Sequence, residues 1–561
     1  MRKIVECVPN FSEGRDPSKI EQIAAVIRAV DGVELLDIDP GKDTNRTVMT
    51  FVGEPEPVLE AAFQAIAQAA KLIDMSQHHG AHPRLGATDV CPFIPVSGIT
   101  MAECAQLAQR LGKRVGDELG IPVFLYEKAA TRPERVNLAD IRSGEYEGLA
   151  QKLQQPDWQP DFGPVVFNAQ TGATVIGSRE FLIAYNINLN TRDTRIANDL
   201  AGLIRESGRP QKDEQGRILR DANGEPQRVP GKFKACKAVG WYLDQYGRVQ
   251  ISINLTDYHQ TPPHLVFDEC CRLAEERGVR VTGSELVGLI PLQAMLQAGR
   301  HYLRKQNKST GVPESELVHI AALSLGLSDL APFDAQQKII EYRLRQKRPL
   351  ADLKLDGFLD LLSTDAPAPG GGSVAALCGA LSSALSSMVA ALTFGKKGYE
   401  AAFAEMEALG VQAQWLKDEF ILDIDRDTDA FNQVMLAWRL PKKTEQEILA
   451  RKQAIEAATR LATLVPLSVL EKSERAVDLA SKVVASGNRN SLSDAAVAAA
   501  IARTAAEGAF FNVCINLPGL EDQAFKAKTL QQAQTLKHTV METTQLILQE
   551  VEKQLLQQVT D

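Results

Sequence analysis

Around Pro349 the hydrophobic pattern of this chain changes, and the change limits the folds open to it more than any single motif. Before it, apolar runs of strand length alternate with amphipathic stretches. After it no strand pattern survives, and long Ala/Leu-rich helical stretches run to the C-terminus. The reading is therefore α/β plus all-α. In the first half, "KIVECV" (Lys3–Val8) reads as a strand and "PSKIEQIAAVIRAV" (Pro17–Val30) as a helix. Two strands follow, "VELLDI" and "RTVMTFVG", around the turn-rich "DPGKDTN". Then come a helix over Pro57–Ile73 and a strand over Asp89–Val96. That order, β-α-β-β-α-β, is the ferredoxin-like split unit. A helix over Met101–Leu119 and a strand over Val123–Tyr126 extend it.

A second block repeats the order from Phe181–Leu189 to "VRVTGSEL", with "CKAVGWYL" and "RVQISINL" as its hairpin. Two ferredoxin-like subdomains followed by a helical bundle are expected, with subdomains at 1–178 and 179–326. A linker at 327–350 and a helical domain at 351–561 complete the chain. The polar stretch Glu127–Gly163 connects the two subdomains, and a cleft between them is a favoured place for a ligand. The Gly/Arg/Lys-rich piece Ser207–Gly231 reads as an exposed excursion.

A formal net charge of −9 argues against a general nucleic-acid binder. The apolar run of "MRKIVECVPNFSEGR" is too short for a signal peptide and is broken by Glu6 and Pro9. Eight scattered cysteines without a CxxC pair fit reduced thiols in a cytoplasmic protein. Gly370–Thr393 is uncharged and long enough to cross a membrane. Its Ala, Ser and Gly content instead fits a buried helix whose small side chains let neighbours approach closely.

Three of the eight histidines fall within five residues, in "HHGAHPRLGATDVCPFIPV" (His78–Val96). No H-E-x-x-H motif or nearby cysteine supports His78, His79 and His82 as metal ligands, so no metal is expected. His82 precedes a proline, which favours extended backbone. His82 and Arg84 then point the same way: an acid–base group beside a fixed cation. Asp89 is a possible orienting partner. The loops "VPNFSEGR" and "DIDPGKDTNRT" add turn residues and cations near the same strands. In the helical half, "FILDIDRDTDAF" carries four aspartates. Phe420, Ile424, Phe431, Val434 and Trp438 form an apolar stripe at helical spacing. Asp427 falls on the stripe and Asp425 off it. A carboxyl facing the packed side has a raised pKa, pushed further by Asp423 one turn away, and suits a general acid. "PAPGGGSVAAL" reads as a turn opening a helix with free amides, and "GNRNSLSDAA" as a helix start capped by Ser493 or Asp494.

"CVPNFSEGR", "GKDTNRTVMTFVG", "HHGAHPRLGATDVCPFIPV" and "DFGPVVFNAQTGATVIGSREFLIAYNINL" together resemble the formimidoyltransferase family. "APAPGGGSVAAL", "DIDRDTDAF", "GNRNSLSDAAVAA" and "FFNVCINL" resemble formimidoyltetrahydrofolate cyclodeaminases, in the order of the bifunctional fusion. The resemblance implies transfer of a formimino group from N-formimidoyl-L-glutamate to N5 of tetrahydrofolate. Cyclisation to 5,10-methenyltetrahydrofolate with release of ammonia then follows, as in histidine degradation. It implies His82 as the transferase catalyst and Asp427 as the cyclodeaminase catalyst. It implies folate contacts at Gly163, Pro164, Val165, Val166, Phe167, Asn168, Ala169, Gln170, Thr171 and Gly172.

Both substrates carry carboxylates, so Arg15, Lys42, Arg46 and Arg84 are candidate anchors, with Asp39 and Asn45 from the same loops as further substrate-binding candidates. Gly371, Gly372, Ser373, Asp425, Asn488, Ser491 and Asp494 are candidates for the cyclodeaminase site. Tetrahydrofolate, in polyglutamylated form, is the expected co-substrate. Small-molecule partners and a homo-oligomer are expected, with neither nucleic acid nor membrane. Departures are Leu85 in place of methionine and a longer Ser207–Gly231 excursion. The alternatives make the helical half a methenyltetrahydrofolate cyclohydrolase or a non-catalytic oligomerisation module.

Overall fold

A computed structural model describes residues 3–42, 45–80, 83–221, 224–345 and 348–560. The chain divides into two units. One comprises Met1–Met295 with Leu325–Leu344, the other Leu296–Ser324 with Arg345–Asp561.

The first unit holds two principal sheets. One has seven strands, in the spatial order Val33–Gly41, Arg46–Gly53, Ile4–Cys7 with its continuation Asn10–Phe11, Thr88–Ser97, Thr174–Ser178 and Val123–Glu127. Neighbours are antiparallel as far as Thr88–Ser97, and the last two strands add in parallel. Pro9 breaks the first strand because it brings no N–H to the ladder. Its carbonyl still accepts from the Met49 amide at 3.0 Å.

Local chemistry sets the helices on this sheet. Asp16 caps Pro17–Arg28 by accepting from the Ser18 amide. Thr100 and Glu103 form a reciprocal capping box for Met101–Leu119, which ends at Gly120 in the left-handed region. Ile23, Ile66 and Leu111 from three helices pack with Val5, Phe51 and Phe93 of the sheet.

The strand Thr174–Ser178 was not expected from the sequence. It is buried along its whole length between parallel neighbours, so it carries no polar alternation to read. Nor is Glu127–Gly163 only a polar connection, since it contains helices Leu138–Arg142 and Glu145–Lys152. The second sheet runs Cys236–Leu243, Arg248–Leu255, Ile183–Leu189, Val281–Val287, antiparallel throughout. Helices Thr194–Ile204 and Pro263–Glu275 accompany it. The Ser207–Gly231 excursion is a mostly exposed ribbon in which Arg209–Pro210 pairs with Arg228–Val229.

The segment read as a linker over 327–350 belongs for most of its length to the first unit. Ile339 and Ile340 are fully buried, Ile339 bridges to Ile290, and Arg343 donates to the Leu36 carbonyl at 2.8 Å. The short helices Ala335–Lys338 and Ile340–Arg343 are too brief to leave a periodic trace.

The second unit is helical. Its long members are Gly371–Thr393, Phe403–Trp438, Glu445–Ser486, Leu492–Asn516 and Gln523–Thr560. Gly371–Thr393 is long and apolar enough to span a membrane, yet it packs inside the bundle. A Cβ on Gly379 would lie 2.4 Å from the Phe420 ring, and Ser382 donates to the Ala498 carbonyl at 2.8 Å. Small residues on the facing helix, among them Ala495, Ala502 and Ala509, are fully buried. The close approach read from the composition is what the packing uses.

Candidate active sites

In the first unit three loops meet at Asn45. Its backbone lies in the left-handed region (φ 48°), a conformation asparagine tolerates better than most residues. Its side-chain oxygen accepts from the Gly14 amide at 3.0 Å, and its amide donates to the His79 carbonyl at 3.0 Å. A Cβ on Gly14 would stand 2.3 Å from the Gly41 carbonyl, so only glycine lets the loops close this far. Asn45 is therefore placed as the knot of the loops.

His78 is buried in this knot. Its Nε2 donates to the Asn45 carbonyl at 2.8 Å, while Nδ1 accepts from Arg84 Nε at 3.3 Å. Those partners fix the neutral Nε2–H tautomer. Burial pulls its pKa below the usual histidine value, against the Asn45 bond.

Arg84 differs from expectation. It is buried, and its guanidinium meets Glu147 at 2.6 and 2.8 Å and Glu145 at 3.0 Å. Its charge already has carboxylate partners within the chain, so it does not stand open as a substrate anchor. Asp89 is fully buried, accepting from the Leu85 amide at 2.9 Å and from Arg142. His82 lies outside the described residues, and so does whatever Asp89 does toward it.

Pro83, next in the chain, lines a cavity of about 1020 Å³ between the two subdomains of this unit. Arg46 and Arg142 reach it from the first subdomain, Lys234, Lys237 and Asp257 from the second. Arg46 is half-buried, and burial pulls its pKa down while Asp89 and Asp39 pull it up. Arg15 and Lys42 stay exposed and adjacent, with Arg15 Nε donating to the Lys42 carbonyl at 3.0 Å. Asp39 is exposed near the end of the strand Val33–Gly41.

The 163–172 segment packs at its end against Leu85, Gly86 and Ala87. Gly172 (φ 65°) lies so close to Leu85 that a Cβ would be 2.1 Å from the Leu85 carbonyl. Ala87 donates to the Thr171 carbonyl at 2.8 Å, and Asn168 accepts from the Gln170 and Thr171 amides. Gly163 (φ 83°) packs against Ile121 and Gly116. Phe167 rests on Tyr146 with ring centres 5.3 Å apart. Tyr146 also donates to Ala169, and Gln170 to the Ala70 carbonyl. Pro164 is exposed, and Val165 and Val166 form an open apolar edge, 50 % and 66 % exposed.

In the second unit Asp427 lies at the start of helix Gly371–Thr393. Ser373 Oγ donates to its carboxylate at 3.3 Å, and the Ser373 amide bonds it as well. A Cβ on Gly372 would fall 2.0 Å from Asp427 Oδ1, so the missing side chain of Gly372 clears the space the carboxyl occupies. The anion facing those free amides is Asp427 itself. Burial raises its pKa, the Ser373 bonds oppose this, and Asp423 adds to the rise.

Asp425 contradicts the helical phase read from the sequence. It is buried, accepting from the Leu350 amide at 2.8 Å and the Ala351 amide at 3.1 Å. Beyond Asp427 the apolar stripe fades, and Trp438 is exposed. The helix is covered on more than one side, and a polar side satisfied by backbone amides leaves no hydrophobic period.

Asn488, Ser491 and Asp494 do not join Asp427 within the chain. The Asn488 amide donates to Thr393, the last residue of the helix whose first turn holds Asp427. At 1.5 Å per residue the two ends are about 33 Å apart. Asn488 accepts from Lys396 at 2.6 Å and from the Asn490 amide, and its carbonyl accepts from Ser491. Helix Leu492–Asn516 has Ser491 at its N-cap without a side-chain cap bond, not the Ser493 or Asp494 cap expected, and Asp494 is half-buried in its first turn.

Sequence reading missed Arg142, Glu145, Glu147 and Lys472. The buried Ile141, Leu149 and Leu153 left a helical spacing within Glu127–Gly163 that would have placed the first three. Lys472 has no such signal in a long, largely polar helix. Among the described residues, no three His, Cys, Asp or Glu side chains converge as a metal site.

An α/β unit with an open, charged cleft, followed by a bundle holding a half-buried carboxyl of raised pKa at a helix start, defines a two-part enzyme. The model of the formiminotransferase domain, N-terminal subdomain, matches residues 4–179, and that of the formiminotransferase domain matches 184–345. The formiminotransferase-cyclodeaminase model matches 354–535. Formimidoyltransferase-cyclodeaminase of Dictyostelium discoideum is 42 % identical over 98 % of this chain and 99 % of its own. Glutamate formimidoyltransferase of Streptococcus pyogenes is 40 % identical over 55 % of this chain and 95 % of its own. Methenyltetrahydrofolate cyclohydrolase of Methylorubrum extorquens is 40 % identical over 32 % of this chain and 88 % of its own. The chain belongs to the formimidoyltransferase-cyclodeaminase family.

Proposed function

We propose that this chain runs two consecutive folate reactions. The first unit transfers the formimino group from N-formimidoyl-L-glutamate to N5 of tetrahydrofolate. The second closes 5-formiminotetrahydrofolate to 5,10-methenyltetrahydrofolate and releases ammonia. In the first, His82 takes the N5 proton and returns one to the departing glutamate nitrogen. The cleft beside Pro83, with Arg46 at its wall, receives the anionic substrates. The exposed Arg15 and Lys42 hold carboxylates, and the 163–172 loop offers an apolar edge to the folate. Holding both substrates together supplies much of the remaining acceleration.

In the second reaction N10 attacks the formimino carbon, and the departing nitrogen must be protonated to leave as ammonia. Asp427 supplies that proton. The observation that carries this reading is the Asp427 carboxyl set against Gly372 and Ser373 with its pKa raised by burial. Cyclisation should therefore fall off as pH rises through the folded pKa of Asp427, because only the protonated form donates.

The sheets read as ferredoxin-like: in each subdomain the first strand lies between the third and the fourth, and the second is at the edge. Tetrahydrofolate in polyglutamylated form is the co-substrate, no metal is needed, and the protein works as a cytoplasmic homo-oligomer. A second reading, a cyclohydrolase in the helical half, is favoured by the Methylorubrum relative. Incubation with formimidoylglutamate and tetrahydrofolate decides between them. Methenyl product appearing with equimolar ammonia supports the proposal, whereas supplied methenyltetrahydrofolate losing its chromophore without ammonia supports the second reading.

A further inference from the structure

A buried ion pair lies one helical turn before Asp427 and has no part in the reaction described above. Asp423 is 2 % exposed. One of its oxygens meets Lys472 Nζ at 2.5 Å, the other Arg426 at 2.9 Å. Lys472 comes from helix Glu445–Ser486, is itself buried, and also faces Glu419 at 3.6 Å. An isolated carboxylate at this depth would be costly, and two cations hold it there. Positions four apart on a helix are neighbours on one face, so Asp423 lies one turn from Asp427 on the same side of the helix.

We propose that Asp423, pinned by Lys472, is a positioning residue: it keeps a fixed negative charge beside Asp427 and so holds the Asp427 proton in place for the departing amine. This rests on the reading of Asp427 as the general acid. The surroundings leave Asp423 as the group suited to this role. Helix Gly371–Thr393 presents Gly372 and Ser373 and has no Asp, Glu, Lys, Arg or His in its length. Helix Leu492–Asn516 brings the uncharged Asn512 to Gly371. Helix Glu445–Ser486 brings Lys472, already committed to Asp423 and Glu419. On the Asp427 helix itself, Arg426 pairs with Asp423 and Glu419, and Asp429 is exposed. The Coulombic influence of Asp423 on Asp427 runs in the direction required.

Two variants of the full-length protein test this, Asp423→Asn and the double variant Asp423→Asn/Lys472→Met, which leaves no unpaired buried charge. Both should move the alkaline limb of the cyclodeaminase pH–rate profile to lower pH. The shift should be about one unit for the single change and smaller for the double, where the opposing cation is gone too. The transferase profile should stay in place. In parallel, infrared titration of the protonated-carboxyl band that Asp427→Asn removes reads the proton without turnover. A band that titrates at lower pH in both variants supports the proposal. If it does so while the rate limb stays put, the tuning holds and the acid role of Asp427 fails. A band and a limb both unmoved in the folded double variant overturn the proposal.

Discussion

The two candidate sites are held by different forces. Around Pro83 and Arg84 the loops are fastened by charge and hydrogen bonds: Arg84 to two glutamates, Asp89 to Arg142, Asn45 to two other loops. Around Asp427 only Ser373 supplies hydrogen bonds, and the rest of the fastening is steric, a carboxyl in space that a single methyl would fill. Charge-fastened loops border an open cleft that must admit two substrates. Close packing leaves Asp427 half-buried, and this burial raises its pKa. Loops tied by several polar contacts should lose function by degrees, whereas a site defined by absent side chains should fail at the first added carbon.

The largest effect expected is on His82. His82→Ala should reduce formimino transfer by about two to four orders of magnitude. Cyclisation of supplied 5-formiminotetrahydrofolate should continue. Separate assays of the two steps check this, and near-normal transfer would remove His82 from the mechanism. Next is Gly372→Ala, whose new methyl collides with Asp427 Oδ1. Cyclisation should fall by about tenfold or more, the added strain displacing the carboxyl, with transfer unaffected. Asp425→Ala should act on stability instead. Leaving the Leu350 and Ala351 amides without their acceptor should cost about 1–3 kcal/mol in chemical unfolding of the helical unit. The protein that remains folded should cyclise at a near-normal rate. A dead but fully stable Asp425→Ala variant would reverse the roles given to the two aspartates. The smallest effect is on metal: exhaustive chelation should leave both activities unchanged, and activity lost and then restored by zinc would contradict the metal-free proposal.

How much could be read in the sequence follows from the same contrast. The antiparallel strands and the capped helices declared themselves through alternation, helical period and cap residues, as at Thr100–Glu103. Thr174–Ser178 did not, because a buried parallel strand has no polar side. The raised pKa of Asp427 was legible from its neighbours Phe420 and Ile424. The burial of Asp425 was not, because its partners are backbone amides more than seventy residues away. The same blindness to distance joined Asn488 and Ser491 to Asp427, although a whole helix separates them. Arg84 read as an open anchor because Glu145 and Glu147 lie some sixty positions further on.

The proposed division of labour between the two units is tested most directly by Asp427→Asn. The amide keeps the shape of the carboxyl and donates no acidic proton. With formimidoylglutamate and tetrahydrofolate supplied together, the variant should release glutamate at the normal rate, accumulate 5-formiminotetrahydrofolate and yield almost no ammonia. Ammonia and methenyl product formed at the normal rate would contradict the account.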